Sequence, residues 1–279
     1  MIILGGLEAQ CTNMPKRLLS SDRGDETSKR SRTDFEEMKT FLENGKDVMD
    51  PKAVKDVCKD EACVRYLVKM LESEDHALSK AAMITTRTAL APEVGYHQML
   101  IDCGIIKTLT DIMNQKLLLR KPSRMEKEDQ KTRIVHQVRT RGRAAHLIGL
   151  LAYKNEKMSA QLVRGHVVES LVVVLDSFDI LSRPRFKDDD DLYLCALQSV
   201  KASSCALGQI AHYGRENAMK ILEKETTLDN LIHVLTSEAR RRMNMIVTKD
   251  TCSKQFRQVI LNEFLSTEKW CAYVVFFVF

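Results

Sequence analysis

The sequence predicts an all-α fold, a solenoid of about four three-helix repeats, and three observations lead there. An eight-residue pattern recurs four times: VRYLVKML at Val64 to Leu71, IKTLTDIM at Ile106 to Met113, VESLVVVL at Val168 to Leu175, and LDNLIHVL at Leu228 to Leu235. Each copy is apolar at its first, fourth, seventh and eighth positions, the spacing of one helical face, and each carries Leu at the fourth. The anchors Leu67, Leu109, Leu171 and Leu231 stand 42, 62 and 60 residues apart, and self-similarity at a period near 42 marks stacked helical units. Composition agrees, since 11 Gly, 5 Pro, 29% charged and 6% aromatic residues favour helices over strands.

From the N-terminus, residues 1–32 are polar, Ser-rich and charged, a composition that cannot bury a core, and are expected to form a disordered tail. Within them Lys16 and Arg17, an eleven-residue spacer, then Lys29, Arg30 and Arg32 have the layout of a bipartite nuclear-import signal. Two basic clusters on a flexible spacer can fill two acidic pockets at once. Thr33 with Glu36 gives a capping-box signature, and Phe35, Met38, Phe41 and Leu42 make one apolar face ending at Gly45. Residues 33–50 are therefore expected to be a terminal capping helix and linker, which a solenoid needs because its end unit lacks a neighbour.

The repeat array is expected over 51–266. Pro51 and Pro92 are placed at the first turns of helices, where a missing N–H costs nothing. Ahead of three copies sit the short amphipathic segments EVGYHQMLIDCG, NEKMSAQLVRG and RENAMKILEKE, with Gly104 and Gly165 where the chain turns into the next helix. Behind the copies come LSKAAMITTRTALA from Leu78, RGRAAHLIGLLAYK from Arg141 and VKASSCALGQIAHYG from Val200, helices rich in small residues. Connections between second and third helices lengthen into insertions near 114–131, 176–194 and 236–250. All interrupt the unit at one point and are expected along one edge, as mobile surface segments. Residues 267–279 form an apolar tail, whose final CAYVVFFVF is far short of the roughly 20 residues of a membrane-spanning helix.

Taken in order, a short first helix, a glycine, a Leu-rich second helix, a loop and a third helix with small packing residues resemble the armadillo repeat. The resemblance covers roughly Pro51 to Leu235. It implies a right-handed superhelix whose concave groove, lined by third helices, binds a partner. Nuclear import receptors of that family carry a Trp followed four residues later by an Asn on this helix. Here those places fall on His146 and Leu150, on Cys205 and Gln209, and in the first unit on Ile84 or Thr85 and then Thr88 or Ala89. The absence of that ladder argues against generic import-cargo binding. The strip expected on the groove is Arg139, Arg143, His146, Leu150 and Tyr153 on one helix, with Gln198, Lys201, Cys205, Gln209 and His212 on the next.

Nothing in the sequence points to chemistry. Seven histidines are scattered, no GxGxxG or GxxxxGK[ST] occurs, and the aspartates 188–191 are consecutive where a calcium loop needs alternating ligands. No catalytic residue, metal or cofactor is therefore expected. Eight cysteines include no CxxC pair, and most lie on apolar helical faces, so they are expected to be free and buried in a protein of the cytoplasm or nucleus. The net charge is +5, yet ten Lys/Arg against three acids between Lys116 and Arg143 give +7 there alone. The expected role is a non-catalytic scaffold or adaptor holding an extended or helical protein segment with acidic and apolar side chains. The alternatives are nucleic-acid or anionic-surface binding through 116–143, which lacks interleaved aromatics for base stacking, and regulation of a small GTPase.

Overall fold

The structure, a computed structural model, describes residues 36–45, 47–92, 94–117, 127–175 and 190–223, together with positions 258, 261, 262, 265, 267, 269, 271 and 272. The copy at 228–235 with its anchor Leu231, the basic clusters Lys16, Arg17, Lys29, Arg30 and Arg32, and the segment 236–250 lie outside the described residues. So do 118–126 and 176–189.

Every regular element among the described residues is an α-helix. The cap, α1 over 36–44, buries Met38 and Leu42 and ends at Gly45, whose φ of 62° is the left-handed stop that glycine adopts without strain. The first unit is α2 (Pro51–Val57), α3 (Glu61–Met70) and α4 (His76–Ala89). Each begins on an aspartate that satisfies free N–H groups of the first turn: Asp50 accepts from Lys52 N, Asp60 from Cys63 N, and Asp75 from Ala77 N and Leu78 N. The second unit is α5 (His97–Asp102), α6 (Ile105–Asn114) and α7 (Lys127–Ala152). The third is α8 (Glu156–Arg164), α9 (Val167–Leu175) and α10 (Asp190–His212), and α11 (Arg215–Leu222) opens a fourth.

Like helices pack on like: α4 on α7 and α7 on α10, α3 on α6 and α6 on α9, α8 on α11. That stacking of equivalent elements makes the molecule an armadillo-like helical solenoid. The anchors Leu67, Leu109 and Leu171 are each fully buried at the same place in the second helix of successive units. Because α9 packs against α6, α8 and α10, it can be apolar almost all round. Among the described residues no single helix is long and apolar enough to cross a membrane.

Three expectations need correction. Pro92 does not open a helix: it sits in a turn that Gly95, at φ 77°, reverses before α5 starts at His97. The connections expected over 114–131 and 176–194 are shorter at their far ends, because α7 begins at Lys127 and α10 at Asp190. Ile134 and Val138, and Leu192 and Tyr193, are buried there, so sparse apolar residues in charged sequence suffice to extend the third helices. Both glycines stand at first-to-second-helix turns as expected, but at different places within them. Gly104 has φ 85°, whereas its equivalent 62 residues on is His166 at φ 60°, and Gly165 at φ −85° aligns with Cys103. Finally, position 267 does not begin a tail. Positions 267, 269, 271 and 272 are helical, Thr267 and Cys271 are buried, Thr267 Oγ1 donates to Leu197 O at 3.4 Å, and Cys271 Sγ lies 3.3 Å from Ser204 Oγ, both on α10.

Candidate functional site

Side-by-side third helices leave a cleft of about 690 Å³ between α4, α7 and α10. Residues 139, 142, 143 and 146 of α7, and 191, 194, 195, 198, 201, 202 and 205 of α10, line it at the three- and four-residue spacing of one helical face. Arg87 enters from α4.

The floor of the cleft is set by a close helix crossing. A Cβ on Gly142 would stand 2.8 Å from Ser199 Cα and clash with its Oγ, so only glycine permits this approach. Seven residues on, a Cβ on Gly149 would meet Ala206 at an ordinary 3.4 Å. The Ser199 hydroxyl lies 2.8 Å from both Val138 O across the crossing and Cys195 O on its own helix, and shares its one proton between them. From the far side of α7, Arg141 is 4% exposed and donates from Nε to Met113 O at 2.9 Å and from Nη2 to Val173 O at 2.7 Å. Those carbonyls lie in the last turns of α6 and α9, where no helical N–H remains to pair with them. One buried guanidinium thus closes two helix ends in successive units and fixes α7 between them.

The cleft is cationic. Arg87, Arg139, Arg143, His146 and Lys201 line it, with Asp191 the one carboxylate among the described lining residues. No carboxylate among the described residues ion-pairs with Arg87, Arg139 or Arg143. His146 is exposed at the mouth of the cleft, its ring part-shielded by the walls. That loss of hydration, then the charges of Arg87 and Lys201, hold its imidazole below the ordinary pKa and favour the neutral ring at neutral pH. Burial, then Arg139, lowers Arg143, which stays charged because guanidinium starts so high. Arg139 Nη2 donates to Cys195 Sγ at 3.3 Å. Burial pushes the Cys205 thiol up to about 11 despite Lys201, which leaves it protonated and a poor nucleophile.

Six of the sequence-predicted residues therefore meet in one place: Arg139, Arg143, His146, Gln198, Lys201 and Cys205. Four do not line it. Leu150 is half-buried against the core, and Tyr153 is 49% exposed beneath Lys154 Nζ, 5.3 Å from its ring centre. Gln209 is half-buried, and His212 is exposed, edge-on to Tyr213 at 5.1 Å. Sequence reasoning missed Arg87, Asp191, Leu194 and Cys195. Arg87 was legible as the residue one turn beyond Ile84, but the first unit was aligned on Ile84 or Thr85 and then Thr88 or Ala89, and Thr85 proves buried. Asp191 and Leu194 lie in the part of α10 that was read as insertion, and Cys195 comes directly after it.

A second cavity, of about 550 Å³, opens where the start of α4 meets α7, lined in part by Glu72, Glu74, Arg133 and the pair His76 and His136. The two imidazole centres are 3.5 Å apart, tilted by 31°, and His136 Nε2 lies 3.3 Å from Thr140 Oγ1. Burial, then His76, Arg143 and Arg139, lowers the His136 pKa to about 4. Among the described residues no group of three or more His, Cys, Asp or Glu side chains could hold a metal ion.

No protein-family model matches the chain, and no curated protein matches it. Among solved structures, a designed armadillo repeat protein, YIII(Dq)4CqI, is similar at 14% identity and a TM-score of 0.44, over 93% of this chain and 96% of its own. An engineered protein from the Northeast Structural Genomics Consortium is similar at 15% identity and a TM-score of 0.41, over 91% and 95% of the two chains. Another from that consortium has 16% identity and a TM-score of 0.34, over 92% of this chain and 66% of its own.

Proposed function

We propose that this armadillo-like solenoid is a non-catalytic scaffold or adaptor whose third-helix cleft holds an acidic segment of a partner protein. The observation that carries the reading is the convergence of Arg87, Arg139, Arg143, His146 and Lys201, from three successive units, on one cleft. Arg87, Arg139 and Arg143, like charges gathered at the joint of a stack, oppose folding unless an anion meets them, and an extended segment can touch three units at once. Leu194 and Ala202 add apolar wall, so the fitting segment mixes carboxylates with apolar side chains. No Phe, Tyr or Trp side chain lines the cleft among the described residues, which favours protein over single-stranded nucleic acid.

The test is a fluorescence-polarisation panel of labelled peptides in which Asp and Glu alternate with Leu and Val, each paired with its Asn and Gln counterpart, against the whole chain. Acidic members are expected to bind and their amide counterparts to fail. Arg143→Glu with Lys201→Glu is expected to weaken binding by about a hundredfold, the loss typical of desolvated charge pairs. Unchanged affinity in that variant, with its circular dichroism intact, would move the site off the cleft.

A further inference from the structure

We infer that the cleft reads a charge order: Asp191, at one end of the α10 wall, receives a basic side chain of the bound segment, and the segment's carboxylates lie beyond it against the arginines. The inference rests on the acidic-segment reading above and adds where along that segment a Lys or Arg must stand.

Contacts between α7 and α10 fix the levels of the cleft. Arg139 Nη2 lies 3.3 Å from Cys195 Sγ, a Cβ on Gly142 would stand 2.8 Å from Ser199 Cα, and one on Gly149 would stand 3.4 Å from Ala206. Residue numbers rise together on the two helices, so α7 and α10 run side by side in the same direction. Asp191 comes four residues before Cys195, which puts it about 6 Å short of the level where Arg139 meets the thiol, at the helical rise. Arg143 follows Arg139 by one further turn of α7, and Arg87 reaches the cleft from α4 in the first unit. The one carboxylate among the described lining residues therefore marks one end of the cleft, and the arginines follow from there.

Asp191 is exposed in the first turn of α10, and among the described residues no cation forms an ion pair with it. A segment laid over this end takes water away from the carboxylate. An acidic side chain there would be repelled, and a neutral one would leave Asp191 without a counter-charge; a Lys or Arg restores one. About two residues further along an extended chain the preference reverses, because Arg139 and then Arg143 face the segment. The cleft thus selects by repulsion as well as by attraction. Its occupant is an alternating acidic and apolar stretch with a basic side chain at one end.

The experiment measures fluorescence polarisation of four labelled peptides with the whole chain at constant ionic strength. All share one acidic and apolar stretch, with Lys at its N-terminal end, at its C-terminal end, in its middle, or replaced by Gln. One of the two end-placed peptides is expected to bind about two- to fivefold tighter than the Gln peptide, the effect of an exposed ion pair, and the middle-placed peptide to bind more weakly than either. Asp191→Asn is expected to erase the preference for that end. Asp191→Lys is expected to invert it, so that Glu in place of the terminal Lys binds tighter. Should Asp191→Lys fray α10, as circular dichroism would report, the Asn variant decides alone. Equal affinity for the four peptides, or a preference that survives Asp191→Asn, would overturn the role of Asp191 and leave the acidic-segment reading in place. An equal gain for all four peptides in Asp191→Asn would make the residue a source of repulsion alone and overturn it as well. Binding by none of them would overturn both readings.

Discussion

Replacing Arg141 by Met would remove the guanidinium that closes α6 and α9 while keeping an unbranched apolar stem in its place. Two hydrogen bonds disappear, to Met113 O and Val173 O, and both acceptors are left facing protein instead of water. Hydrogen bonds from a charged donor contribute roughly 1.5–3 kcal/mol each, so the expected loss is about 3–6 kcal/mol. Against a typical domain stability of about 5–15 kcal/mol that is a large share. It falls on one joint, because Met113 belongs to the second unit and Val173 to the third. In a stack held by nearest-neighbour contacts, weakening one joint uncouples the units on either side. Urea unfolding followed by circular dichroism is therefore expected to shift to lower denaturant and to broaden or split. Hydrogen exchange should accelerate first at the ends of α6 and α9. Arg141→Lys should recover less than half the loss, since one ammonium on a shorter stem cannot serve two carbonyls from different helices. A loss below about 1 kcal/mol for Arg141→Met, within the range of ordinary surface changes, would refute the view of Arg141 as the bolt between units.

Gly142→Ala is expected to destabilise by about 1–3 kcal/mol because α7 and α10 must part around Ser199, whereas Gly149→Ala should be neutral or stabilise by up to about 1 kcal/mol. Thermal midpoints of the two variants check the contrast. His136, lowered from 6.5 to about 4, binds its proton more readily in the unfolded chain. Its contribution is therefore fully present above about pH 6.5 and is lost as pH falls toward 4, by no more than about 3 kcal/mol and less in proportion to the ring's partial exposure. His136→Gln should flatten that part of a pH–stability profile. His166→Gly should stabilise by up to about 1 kcal/mol by relieving a left-handed non-glycine residue, and Gly104→Ala should destabilise by about 1–2 kcal/mol at the equivalent turn. Urea midpoints measured side by side decide both.

The architecture was legible in the sequence because a buried Leu at one face of each second helix is a strict requirement of stacking, and Leu67, Leu109 and Leu171 meet it. The lengths of the third helices were not legible in the same way. α7 opens in charged sequence and turns inward only through Ile134 and Val138, a weaker periodic signal than local charge. Half of the site followed from helical spacing alone, which puts Arg139, Arg143 and His146 on one strip of α7 and Gln198, Lys201 and Cys205 on one strip of α10. The remainder depended on how neighbouring helices slide past each other. That register is fixed where Gly142 admits Ser199, a contact 57 residues apart that no local pattern announces. Arg141 shows the same limit, for its two acceptors lie 28 and 32 residues away on different helices.

The central claim, that the third-helix cleft is where a partner segment sits, is tested most directly by site-specific photocrosslinking. A benzoylphenylalanine at Gln198, exposed within the cleft, and another at Lys107, exposed on α6 and outside its lining, report on the two surfaces. With the tightest acidic peptide of the polarisation panel, crosslinks are expected from position 198 and are expected to vanish when Arg143→Glu and Lys201→Glu are added. Crosslinking from 107 with none from 198 would contradict the account.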